Sequence, residues 1–268
     1  MTTLAETVSD SVTITRRNLI KVKRVPDLIV FATLSPIMFV LLFRYVFGGA
    51  IDVPGDVSYA EFLLPGIFAQ TVVFGSTITG ASIAEDLQKG LIDRFRSLPM
   101  SRSAVLIGRT VADLGLNAIS IVVMALTGLV VGWRINTSVG EAVGGFVLLL
   151  AFAYAVSWLM AVVGLLVRTP EVVNNASFMV IFPLTFVSNA FVPLESFPSV
   201  LRTFAEWNPV STVVQGAREL FGNVPAGAPL AEAWSLQHPV FYSLLWAVVI
   251  LIVFVPLSVR LYVRTSTR

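Results

Sequence analysis

Cysteine is absent from the 268 residues, which excludes disulfides, thiolate nucleophiles and cysteine metal sites. Histidine is nearly absent: the one instance, His238, precedes Pro239 at the edge of an apolar run and reads as an interfacial side chain rather than a ligand. Charge is scarce. Asp, Glu, Lys and Arg make up 13% of the chain, where a soluble domain carries about a quarter. No G-x-x-x-x-G-K-[ST] phosphate loop occurs, nor H-E-x-x-H or G-x-S-x-G, so nothing here cradles ATP phosphates in the usual way. Any energy source then lies in another chain or in an ion gradient. Carboxylates inside the apolar runs, the usual mark of proton coupling, are almost missing: Asp113 sits near the start of one run, and Arg44, near the end of another, has the reach to snorkel. The first 26 residues are polar and basic, without a short apolar core before a small-residue cleavage site. No cleaved signal peptide is evident, and the mature chain is expected to start at or near Met1.

What the chain does have is apolar length. Hydrophobic residues make up 56% of it. Six runs, approximately 28–47, 63–84, 107–131, 143–167, 172–192 and 239–259, are long enough to cross a hydrocarbon core of about 30 Å as helices. Pro36 and Pro183 interrupt two of them, which a helix bundle tolerates. The sequence therefore predicts an all-α integral membrane protein, with a basic interfacial arm over 1–26 and one membrane domain over 27–268. No internal repeat is visible.

Charge sets the orientation. Arg16, Arg17, Lys21, Lys23 and Arg24 precede the first run, and Lys89, Arg94, Arg96, Arg102 and Arg109 lie between the second and third. Arg168, Arg260, Arg264 and Arg268 complete fourteen of the eighteen basic residues on one side; Arg44, Arg134, Arg202 and Arg218 are left for the other. The positive-inside rule puts both termini in the cytoplasm. The pI near 9.1 then reports orientation, and no nucleic-acid partner is implied. The arm's basic cluster suits anionic lipid headgroups.

Small residues recur at helical spacing, Gly128 with Gly132 and Ala153 with Ser157 and Ala161, and are expected to pack helices closely within the bundle. Gln70, Thr71, Ser76, Thr77, Asn117, Ser120, Ser157, Ser177 and Asn189 fall at membrane depth, as do Phe68, Phe74, Phe178, Phe182 and Phe186. Interhelical hydrogen bonding and lipid contact account for such residues as readily as a substrate path does, and pattern alone assigns none of them to a binding site.

One charged stretch, "EDLQKGLIDRFRSLPMSRS" from Glu85 to Ser103, lies between two membrane-length runs. Its spacing predicts one helix. Glu85 and Asp86 occupy the first turn, Leu87, Leu91, Phe95 and Leu98 form an apolar stripe, Asp86, Lys89, Asp93 and Arg96 lie opposite, and Pro99 stops it. Such a helix rests on the bilayer or docks a cytoplasmic partner, and periodicity does not separate the two.

The stretch extended to Asp113 resembles the cytoplasmic motif of ABC-2 type transporter permeases, in particular the daunorubicin-resistance drug-exporter branch. The resemblance rests on acidic Glu85, on Gly90, on Arg94 to Pro99 (Arg-Phe-Arg-Ser-Leu-Pro) and on Gly108 to Thr110. A second match is "NAFVPLESFPSVLRTFAEWNPVSTVVQGAREL", Asn189 to Leu220, before the last run. The resemblance implies a type V exporter-like fold of six transmembrane helices, with a cytoplasmic coupling helix made of Glu85, Asp86, Lys89, Gly90, Asp93, Arg94, Phe95, Arg96, Leu98 and Pro99. It further implies a separate ATPase subunit that binds the ATP and magnesium, no cofactor in this chain, and a second permease chain, the same or related, beside it. The location implied is a bacterial inner membrane and the cargo a hydrophobic or amphipathic drug, metabolite or lipid. A lipid-linked polysaccharide is the alternative cargo; a membrane lipid-modifying enzyme is the alternative class, against which the shortage of histidine, cysteine and buried carboxylates speaks.

Between the fifth and sixth runs the pattern predicts two short amphipathic helices, on the extracellular side, re-entrant or surface-lying. Val200, Leu201, Phe204 and Trp207 mark the first apolar face; Val210, Val213, Val214, Ala217 and Phe221 mark the second. Asn208-Pro209 caps the second helix, Gly222 ends it, and Ser211 and Arg218 are expected to face water.

Overall fold

The computed structural model describes residues 4–24, 26–48, 57–96, 101–167, 169–224 and 232–264. Among these the chain is all helix and turn, as the apolar runs require. An amphipathic α1 (Leu4–Arg24) precedes α2 (Pro26–Leu42), which ends in a π-helical turn, Phe43–Phe47. The second run is a rod of two helices, α3 (Tyr59–Gly75) and α4 (Thr77–Gln88), followed by the short α5 (Leu91–Arg96). Then come α6 (Arg102–Val131), α7 (Val139–Leu166) and α8 (Pro170–Phe186). The short helices α9 (Ser199–Trp207), α10 (Pro209–Phe221) and α11 (Trp234–Gln237) lead into α12 (Pro239–Arg264).

Among the described residues, four elements are long and apolar enough to cross a membrane by length and composition: the α3–α4 rod, α6, α7 and α12. The boundaries follow local chemistry. Ser58 with Glu61, and Ser138 with Glu141, form capping boxes at the starts of α3 and α7. Thr169 caps α8, with Pro170 in its first turn. Gly132, expected to pack a helix pair, instead ends α6 at a φ of 104°. Gly128 does sit in a tight contact, where a Cβ would come within 3.1 Å of Leu64.

α7 is central, packed against α12, α4, α10, α3 and α6. It crosses α4 backbone to backbone: a Cβ on Gly164 would meet the carbonyl oxygen of Gly80 at 2.3 Å. Ala153, Ser157 and Ala161 lie buried on α7. Ser76, at the junction of α3 and α4, donates to Val72 O at 2.7 Å and to Ala153 O at 3.0 Å, pinning the rod to α7. At the opposite end from α5, Phe68, Trp133 and Phe221 meet edge to face, Phe68 to Trp133 at 5.1 Å and Trp133 to Phe221 at 5.4 Å between centroids.

Two further sequence expectations need correction here. The fifth run was expected to extend to 192, but α8 stops at Phe186. Its 17 residues span only about 25 Å at the helical rise. Pro183 lies one turn before its end, and the chain then folds back through Ser188, which donates to Thr185 O. The second correction concerns α10. Asn208 caps it, accepting from the Val210 amide at 2.9 Å, and Gly222 ends it at a φ of 69°, both as the sequence predicts. Ser211 and Arg218 were expected to face water, yet they are 0% and 2% exposed. α10 packs against α7, α12 and α3, and its polar side chains bond to neighbours: the Ser211 hydroxyl accepts from the Asn189 amide at 3.3 Å, and Ser243 donates to Thr212 at 3.1 Å. α9 behaves otherwise, turning its apolar Val200, Leu201, Phe204 and Trp207 outward.

A candidate coupling corner at the α4–α5 turn

The charged stretch is not one helix. Glu85 and Asp86 form the last turn of the α3–α4 rod, and the chain breaks at Gly90, whose φ of 64° a side chain with a Cβ adopts only under strain. α5 starts afresh at Leu91. The acidic pair therefore sits at a helix C-terminus rather than at the favoured N-terminus. The break also rephases the apolar stripe: among the described side chains of α5, Ile92 rather than Leu91 is buried, and it packs with Ile83, Leu106, Trp158 and Tyr262, while Leu87 leans on the same cluster.

The corner uses its charges in two ways. Glu85 accepts a hydrogen bond from Lys89 one turn on, which raises the Lys89 ammonium above its ordinary value. Asp86 turns toward α1, with its carboxylate 3.9 Å from Arg17. Lys89 and Arg94 are exposed. Asp93, Phe95 and Arg96 belong to α5 by backbone, and their side chains lie outside the described residues, as Leu98 and Pro99 do entirely.

The basic arm closes the corner from the side. α1 packs along α6. Asp10 accepts from the Ser101 amide at 2.9 Å, placing a carboxylate at the start of α6. Thr15 donates to Gly108 O at 3.2 Å, and a Cβ on Gly108 would lie 2.6 Å from the Ile14 side chain. Gly108, part of the motif that carried the family resemblance, is thus the surface on which α1 is seated. Just inside, Arg109 donates from Nε to Asp113 Oδ2 at 2.9 Å and from Nη2 to Ser82 Oγ, and Thr79 donates to the same carboxylate oxygen at 2.8 Å. This buried pair joins α4 to α6. Its i, i+4 spacing in Arg-Thr-Val-Ala-Asp was the available sequence signal, but Asp113 read there only as an acid near the start of an apolar run.

The polar residues at membrane depth divide. Ser76, Thr77 and Ser157 bond to backbone carbonyls, and Ser177 rests on the Met160 sulfur. Asn189 engages Ser211 through its main-chain amide. Gln70, Thr71, Asn117 and Ser120 do something else: they line one cavity with Phe74, Phe178 and Phe182. Phe68 packs in the Trp133 cluster, and Phe186 stacks on Phe182 at 4.2 Å.

Residues 10–221 match the family described as ABC-2 type transporter. The chain is 33% identical over 258 residues to the daunorubicin resistance ABC transporter permease protein DrrB1 of Streptomyces coeruleorubidus, an alignment covering 96% of this chain and 87% of that one. It is 25% identical over 240 residues to the probable doxorubicin resistance ABC transporter permease protein DrrC of Mycobacterium tuberculosis, covering 89% and 83%. It is also 26% identical over 214 residues to the putative transport permease ycf38 of Cyanophora paradoxa, covering 78% and 72%.

Proposed function

The chain belongs to the ABC-2 type transporter family, and from that premise we propose that it is the permease subunit of an ATP-driven exporter of hydrophobic or amphipathic drugs. The carrying observation is the family match over residues 10–221, reinforced by a relative that is a daunorubicin resistance permease along nearly the full length. A separate nucleotide-binding subunit holds the ATP and magnesium, and two permease chains pair in one bacterial inner membrane. α2 and α8 join the four longer elements to give six spans, with both termini cytoplasmic and α9 and α10 at the extracellular end, α10 re-entrant.

The corner supports a mechanical reading. Nucleotide closure of the partner bears on α5 and the exposed Lys89 and Arg94. The turn at Gly90 passes this displacement to α4, which continues without a gap into α3 and ends at Tyr59. α7 and the Arg109–Asp113 pair resist it, so the rod moves against them rather than bending freely. Permease and nucleotide-binding subunit reconstituted together should move doxorubicin across vesicle membranes only with hydrolysable ATP. Transport that persists without the partner or without nucleotide overturns the reading.

A further inference from the structure

We infer that α9 is an anchor in the bilayer surface: Val200, Leu201, Phe204 and Trp207 lie among the upper acyl groups of one leaflet, and lipid rather than protein covers them. The inference rests on the exporter reading only for which leaflet this is, the outer one. Lipid contact itself is measurable without transport.

The exposed face is unsuited to water. Val200 is 80% and Phe204 52% exposed, with Leu201 and Trp207 open beside them. All four fall on one flank of a nine-residue helix. Ala205 is buried and turns the back of the helix to the protein. Ser199 and Thr203 lie exposed on the other flank, where Arg202 donates to Glu206 at 2.9 Å. A helix with its back on the protein, one flank apolar and the other polar, is shaped to lie along a bilayer surface.

The neighbouring α12 identifies what covers the apolar flank. From Phe241 to Leu257 every exposed side chain of α12 is apolar, while Ser243 and Ser258 are buried. A helix that turns its hydroxyls inward and shows only hydrocarbon faces acyl chains. A protein partner on this surface would find no exposed side-chain donor or acceptor, where interfaces carry about one hydrogen bond per 100–200 Å².

α12 also fixes the level of α9. The rise from Phe241 to Arg260 is about 28 Å, close to a hydrocarbon core of about 30 Å, so the two residues mark its opposite edges. Tyr242, with Trp234 at 6.0 Å between centroids, stands at the Phe241 edge, the depth that Tyr and Trp rings favour. Trp207 of α9 lies 6.1 Å from Tyr242. α9 therefore ends at the edge of the core, and its apolar flank continues the lipid face of α12.

The charges on α9 do not select an anionic headgroup. Hydrogen bonding to Glu206, with the fields of Glu206, Glu232 and Glu195, holds the Arg202 guanidinium above its ordinary value. Three carboxylates thus accompany one cation, the reverse of the basic α1. Anchoring here depends on apolar contact and is indifferent to anionic lipid. It has a structural consequence, because Asn208 follows Trp207 directly. The Asn208 amide donates to Leu184 O at 2.7 Å and to Val187 O at 2.8 Å, and its oxygen caps α10. The anchor so fixes, relative to the bilayer, the point where α8 ends and α10 begins.

The test places nitroxides on Val200→Cys, Phe204→Cys and Thr203→Cys, all at exposed positions, in the full chain reconstituted into vesicles of dioleoylphosphatidylcholine. Relaxation by oxygen, which concentrates in lipid, is compared with relaxation by a water-soluble nickel chelate. The oxygen-to-nickel ratio should be severalfold higher at 200 and 204 than at 203, and unchanged when phosphatidylglycerol is added. Labels at 200 and 204 that are immobile and shielded from both reagents mean that a second copy covers the face, and they overturn the inference. Free access of nickel to both positions means water and overturns it equally. The leaflet is read separately: Thr203→Cys should react with a membrane-impermeant maleimide in intact cells. Lipid contact without that reaction counts against the orientation in the exporter reading and leaves the anchor standing.

Discussion

Arg218 donates from Nε to the carbonyl oxygen of Phe62 at 2.9 Å, and its guanidinium carbon lies 3.7 Å from the centroid of the Phe62 ring. The same side chain donates from Nη2 to Asn189 O at 2.6 Å and to Ala190 O at 3.3 Å. A buried guanidinium is thus satisfied by backbone carbonyls and an aromatic face, its planar fork reaching two segments together. It ties α10 to α3 and to the turn after α8.

Arg218→Lys keeps the charge and loses the fork, and Arg218→Ala removes the guanidinium that three carbonyls share. We expect both to unfold at lower temperature in detergent, Arg218→Ala by about 3 kcal/mol and Arg218→Lys by less, since hydrogen bonds to charged groups contribute about 1.5–3 kcal/mol. A melting temperature for Arg218→Ala equal to that of the parent would contradict the tether.

The seat of α1 on α6 makes a second prediction. Gly108→Val places side-chain atoms where Ile14 already stands, 2.6 Å from even a Cβ. It should lift α1 away and speed tryptic cleavage at Arg16 and Arg17 severalfold. Gly140→Val is the control, because nothing lies within 4 Å of that position. Equal cleavage in the two variants means that α1 is not held by this contact.

Hydropathy made most of the helices legible, since bilayer length and backbone satisfaction leave few alternatives to a helix. The caps at Asn208 and Thr169 and the stop at Gly222 were also legible, because each is a local hydrogen-bonding or φ requirement. Three things were not. Gly90 sits within an unbroken amphipathic pattern, and pattern says nothing of a positive φ, so Glu85 and Asp86 were placed at the wrong end of a helix. Ser211 and Arg218 form a polar face that in isolation implies water; here backbone amide and carbonyl groups of neighbouring segments take water's place. The cavity gathers residues from α2, α3, α6 and α8, far apart in sequence, and single-helix periodicity carries no information about their meeting.

The turn at Gly90 is itself testable. Gly90→Ala should strain the left-handed conformation by about 1–2 kcal/mol, favouring a straight α4–α5 run that swings α5 off its seat beside Leu106. ATP-driven transport should fall severalfold at matched expression, with Gly90→Asn, which tolerates positive φ, retaining more of it. Equal transport by all three proteins would show that this turn does not carry the motion.

The final prediction concerns the face on which the corner lies, and it follows from the clustering of Lys and Arg around α1 and α5. The chain contains no cysteine, so single-cysteine variants need no altered background. Arg94 is exposed on α5, and Val139, 81% exposed, opens α7 without taking part in the Ser138–Glu141 capping box. α6 alone separates the two regions, and its 30 residues span about 45 Å, ample for a core of about 30 Å. A membrane-impermeant maleimide should therefore label Val139→Cys in intact cells and Arg94→Cys only after permeabilisation. Labelling of both in intact cells would mean that α6 does not cross the membrane, and the six-span arrangement would fall. The reverse pattern would keep the spans and invert the orientation, placing α5 where no cytoplasmic ATPase can reach it.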